Sequence, residues 1–174
     1  MGWWTPELAE KLSQGDIVSN QAAVIAAHPL TYLKPKDFKG GIPGWAIHPV
    51  PVEANGRVHL LATGSARHCL VLSHDCELDK EDGNPERRRV VVAPTYALAS
   101  VMPEHQAVIL QQENRALMPL VEVPGSEPLY ADFRSICSVP RLSVDAATRK
   151  ASMTEEARLR LRAQLVAFFL RLQP

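Results

Sequence analysis

The chain has 174 residues, enough for one domain or one domain with a sizeable excursion, and its 46% apolar content excludes wholesale disorder. Nineteen basic residues cancel nineteen acidic ones, so the chain is not a global polyanion binder and any nucleic-acid contact needs a local basic patch. No run approaches the roughly 18 consecutive apolar residues of a membrane span, so no membrane partner is expected. Three cysteines are an odd number, and Met1-Gly2-Trp3-Trp4-Thr5-Pro6 lacks the charged start and apolar run of a signal peptide. A reduced, cytoplasmic protein is the expectation.

Taken in order, residues 5–12 are expected to open the chain as a short helix. Thr5 can cap it, Pro6 suits its first position and Glu7 complements its positive end. Trp3 and Trp4 before it read as packing anchors. Gln14-Gly15-Asp16-Ile17-Val18 reads as a turn feeding a strand that residues 24–27 extend. Residues 30–57 form a Pro/Gly-rich insertion or flap with poor periodicity, carrying Lys34, Lys36, Lys39, Trp45 and His48. The Asn55-Gly56 turn signal then leads into a strand at 58–62. Arg87-Arg88-Arg89 introduces a buried strand at 90–93, and further strands are expected at 108–111, 118–123 and 129–139. A closing amphipathic helix spans 152–173. Ser152 or Thr154 caps it, and Leu161, Leu165, Phe168, Phe169 and Leu172 line one face.

The stretch Arg67-His68-Cys69-Leu70-Val71-Leu72-Ser73-His74-Asp75-Cys76-Glu77-Leu78 is the densest in reactive groups. Its apolar run, 69–72, is the right length for a strand buried on both faces. Side chains at the ends of such a strand are held rigidly, which is what a functional site requires.

Several of these segments together resemble the MazF/PemK family of toxin-like endoribonucleases. Gly15-Asp16-Ile17-Val18 is similar to the family's opening strand, and Arg67 to Asp75 to its Arg-Pro-Ala-Leu-Val-Val-Ser-Asn-Asp. Val90-Val91-Val92-Ala93-Pro94-Thr95 is similar to Val-Ile-Val-Ala-Pro-Ile-Thr, and the last strand and helix follow in family order. The resemblance implies an α+β fold: a small, strongly bent antiparallel sheet or SH3-like barrel (MazF/PemK/CcdB-like) closed by the C-terminal helix. It also implies metal-independent cleavage of single-stranded RNA by the neighbouring 2′-hydroxyl, in a toxin–antitoxin or defence setting. Arg67 and Thr95 would be the catalytic residues, with Asp75, Ser73 and Arg134 contacting RNA. A homodimer and an antitoxin-like protein partner are implied as well. The chain departs from the family pattern in its long insertion before Arg67, in His68 where the family has proline, and in Thr95 directly after Pro94.

The residues carry a second meaning. His74 and Cys76 share one parity of an extended chain and could bind a soft or borderline metal from one face, with Cys137 or His48 completing the set. No cofactor is required by the RNA reading. The competing expectation is a non-catalytic module on the same barrel, holding a metal, cofactor or protein through His74, Asp75 and Cys76.

Overall fold

A computed structural model describes residues 2–8, 10–24, 31–32, 60–61, 64–78, 88–145 and 149–170. Most of the proposed insertion, 30–57, lies outside them. The chain parts into two compact units, one comprising residues 1–23 and 66–174 and the other residues 24–65. In the smaller unit, β2 (Thr31–Tyr32) pairs antiparallel with β3 (Leu60–Leu61).

The larger unit is α+β. Its strands are β1 (Ile17–Val24), β4 (Gly64–Val71), β5 (Arg89–Ala97), β6 (Leu117–Leu120), β7 (Leu129–Asp132), β8 (Cys137–Pro140) and β9 (Arg149–Ala151). They hydrogen-bond in the order β6-β7-β5-β4-β1-β9, with β8 also paired to β5. Among the described residues this path is open, from β6 at one edge to β9 at the other. The helices are α1 (Asp75–Leu78), α2 (Pro103–Leu110), α3 (Arg141–Asp145) and α4 (Glu155–Phe169).

The 69–72 run is buried on both faces, as its composition requires. Leu70 and Leu72 join Ile17, Ala93, Phe133 and Leu161 on the side covered by α4. Cys69 and Val71 join Val18, Val90, Val92 and Val144 on the other. Alternation along each strand divides the core into two layers, and that leaves the 69–72 run with no wet face. Each full burial of a Leu, Val or Phe contributes about 1.5–3 kcal/mol, so the 69–72 run anchors β4 in both layers.

Three expectations are corrected. Among the described residues of 5–12, which leave out residue 9, there is no helix: Thr5 donates its amide to Ser152 O (2.8 Å), and Trp4 makes an antiparallel bridge with Met153. Leu8 and Leu12 have helical spacing, but the strand that ends the sheet offers the backbone of Trp4 and Thr5 direct partners in Met153 and Ser152. Residues 108–111 belong largely to α2, where Pro103 at the first turn starts a helix that a four-residue window could not distinguish from a strand. Residues 129–139 are two strands, broken at 133–135 where the Asp132 carboxylate accepts the Arg134 amide and caps a single 3-10 turn.

The closing helix, expected over 152–173, runs over Glu155–Phe169, with 171–173 outside the described residues; Thr154 is its N-cap, and its Oγ1 accepts the Ala157 amide at 3.3 Å. Leu161 is fully buried, with Leu165 and Phe168 packed against the same layer, whereas Phe169 is 65% exposed. Arg162 Nε donates to Gln14 Oε1 (2.8 Å), and Gln14 Nε2 donates to Leu72 O (2.8 Å), tying α4 to the C-terminal end of β4.

Candidate functional site

β4 and β5 are antiparallel, with Cys69 opposite Pro94. Carrying that register outward by two residues brings Arg67 beside Tyr96. The Arg67 guanidinium carbon lies 4.7 Å from the Tyr96 ring centroid, a cation–π distance. On its other flank Tyr96 is opposite Tyr130 of β7, with ring centroids 5.5 Å apart and planes inclined by 25°. Arg67, Tyr96 and Tyr130 thus form a row across three neighbouring strands. Burial, reinforced by the Asp132 charge, pushes the Tyr130 hydroxyl up, so it stays neutral.

Thr95, one residue before Tyr96, is buried, and its hydroxyl donates to His68 O at 2.9 Å. A carbonyl can only accept, so this bond commits the single hydroxyl proton of Thr95 and leaves its oxygen lone pairs for any further partner. Arg67 and Thr95, 28 positions apart in the chain, line one depression of about 340 Å³ together with His68, Tyr96, Asn20 and Glu127. That volume falls in the range of about 300–1,000 Å³ typical of ligand sites. Asn20 lies within β1 at φ 56°, a left-handed conformation that asparagine tolerates better than most residues and that redirects the strand at the rim of the depression.

The other sequence candidates have different surroundings. Ser73 Oγ accepts the Val91 amide at 2.9 Å. Asp75 accepts the Gln14 amide at 2.7 Å and lies 3.8 Å from the Arg158 guanidinium. Arg134 is clasped by Asp132, through Nε at 2.9 Å and Nη2 at 2.8 Å. None of the three lines the depression. The first two act as main-chain fasteners at the far end of β4, and Arg134 belongs to the 3-10 turn after β7.

His74 and Cys76 are both exposed, and the contact between them is local. The Cys76 amide donates to His74 Nδ1 at 3.3 Å, so that nitrogen presents its lone pair to the chain. Cys76 is exposed, and Cys137 lies on β8 opposite Val92, packed against the layer that holds Cys69. Among the described residues no three His, Cys, Asp or Glu side chains gather in a group that could hold a metal ion. Burial pushes the Cys69 thiol up to about 12, far from the thiolate needed for nucleophilic work, and moves Cys137 in the same direction.

Asn20, Tyr96 and Glu127 had no motif to announce them. Tyr96 could have been found as the neighbour of Thr95 at a strand end. Glu127 arrives from the Gly125-Ser126-Glu127-Pro128 connection between β6 and β7, and only the pairing of β7 with β5 brings it to the site. No protein-family model matches the chain, and no curated protein matches it significantly.

Proposed function

We propose that the protein is a MazF/PemK-like, RNA-directed protein that cleaves single-stranded RNA with Arg67 and Thr95. The observation that carries this reading is their convergence in one depression. In the proposed reaction the 2′-oxygen loses its proton, bonds to phosphorus and displaces the 5′-oxygen, which leaves with a proton. The products are a 2′,3′-cyclic phosphate and a 5′-hydroxyl. Arg67 offers a planar, permanently charged fork suited to the phosphate, and the Tyr96 ring beside it restricts its movement. Thr95, with its proton already committed, accepts the hydrogen bond of the 2′-hydroxyl in the ground state and aims the oxygen at phosphorus. Glu127 is the lining carboxylate that takes the proton as the new bond forms, and His68 is the lining imidazole that supplies one to the departing oxygen.

The SH3-like class of the sheet, the homodimer and the antitoxin-like partner belong to the same proposal. Incubation with a mixed RNA pool in EDTA tests it. Cleavage to 2′,3′-cyclic phosphate ends, abolished in Arg67→Ala, is the expected outcome; intact RNA at high protein concentration would sink it.

A further inference from the structure

We infer that the Arg67–Thr95 depression continues into a second subsite on the Lys150 side, which takes the nucleotide flanking the scissile phosphate; this rests on the RNA reading given above. A second depression of about 110 Å³ adjoins the first, and His68 and Leu129 line both. Its other walls are Ile17 of β1, the 123–126 turn and Lys150 of β9. At about a third of the size at which a ligand pocket stands alone, it is an annex, not an independent site.

The annex has the composition that one nucleotide needs. Val123, Pro124 and Leu129 give an apolar surface for a base, and Ser126 gives a hydroxyl at its edge. Lys150 is exposed, and its ammonium has no ion-pair partner among the described residues. A cation in that state, one subsite away from Arg67, suits the next phosphate along a strand. Gly125, at φ 66°, has open space where a side chain would begin, so the turn leaves the backbone approachable.

The shared wall gives an independent reason. His68 Nδ1 is buried and has no hydrogen-bond partner among the described residues. Buried polar atoms are nearly always paired, and this exception falls on the one imidazole that lines both depressions. A mononucleotide held at Arg67 reaches only the first depression. A chain of nucleotides covers both.

The test is binding, so that it does not depend on turnover. Fluorescence anisotropy is measured with 2′-O-methylated, uncleavable oligoribonucleotides of increasing length, from a dinucleotide upward, over a range of salt. Affinity is expected to rise at the length that first reaches the annex. Lys150→Gln should remove that rise and lower the salt slope by about 0.7, the value for one phosphate contact on a single strand. It should leave the shortest oligomer unaffected. Arg67→Gln should weaken every length. Arg160→Gln, an exposed cation on α4, controls for general charge and should change nothing. Length-independent affinity, a Lys150→Gln effect equal at all lengths, or an equal loss in Arg160→Gln overturns the annex while leaving the Arg67 site standing. Wild-type protein that binds no oligomer overturns both.

Discussion

The two ends of β4 carry similar inventories of reactive side chains and use them in opposite ways. At the entrance, Arg67, His68 and the facing Thr95 and Tyr96 line an open depression. At the exit, Ser73 holds the Val91 amide, Asp75 holds the Gln14 amide beside Arg158, and His74 accepts from Cys76. A cluster of titratable groups therefore points to function only after the groups that satisfy main-chain donors have been set aside. The exit is denser in chemistry along the sequence, yet the entrance is where side chains meet an unfilled space.

Substitutions at the two ends should separate activity from stability. Arg67→Ala is expected to lower kcat/KM for RNA by about 10²–10³ or more, the usual loss when one preorganised donor to a developing charge is removed. Its thermal midpoint should stay near wild type. Asp75→Ala is expected to do the reverse, costing about 1.5–3 kcal/mol because a carboxylate that accepts a main-chain amide is lost. Denaturant unfolding alongside a cleavage assay checks both, and a stable but inactive Asp75→Ala would reverse the comparison.

The exit also depends on Gly15, whose amide donates to Val71 O at 2.9 Å. It sits at φ +87°, and an added Cβ would meet Met153 Sδ at 2.9 Å. Gly15→Ala should destabilise by about 1–3 kcal/mol through backbone strain and this overlap. An unchanged urea midpoint would show that the turn can rearrange.

Asp16, next in the chain, is fully buried. Burial pushes its carboxyl above 3.8, opposed by the Ser13 amide, the Ser152 hydroxyl and Arg149. The folded protein thus holds the proton more tightly than the unfolded chain does. The resulting stabilisation is complete below 3.8 and is lost as pH rises through the raised value. Asp16→Asn, which does not titrate, should show a flatter dependence of stability on pH just above 3.8. Urea midpoints of both proteins between about pH 3 and 7 read this directly, and parallel curves would refute it.

The smallest effect belongs to Cys76→Ser. The thiol is exposed and packs against nothing that needs it, so stability should change by less than about 0.5 kcal/mol and cleavage not at all. Loss of bound metal or colour in this variant would restore the competing view of the exit.

What could be read from the residues follows the range of the forces involved. The 69–72 run and α4 were legible because burial imposes a periodicity that each segment carries by itself. Arg67 and Thr95 came forward through the family resemblance, and each flanks a recognisable apolar run. Glu127, Lys150 and Asn20 were not legible, since a loop, an edge strand and a left-handed residue enter the site only through pairings between distant strands. Residues 5–12 misled for the same reason. Thr5 and Pro6 have helix-starting chemistry, but Ser152, at the other end of the chain, decides where their backbone goes.

That pairing bears on how the protein is made. Thr5 bonds Ser152, Thr154 donates its amide to Trp3 O, and Ile17 of β1 faces Ala151 of β9. During synthesis the first strand therefore waits, without its outer neighbour, until residues 149–151 have been made and can pair with it. Lys150 and the wall it contributes beside His68 arrive in the same late step. A nascent chain can hold Arg67 and Thr95 side by side before the cleft around them is complete, so the proposed activity against RNA would mature only once the strand that carries Lys150 has docked.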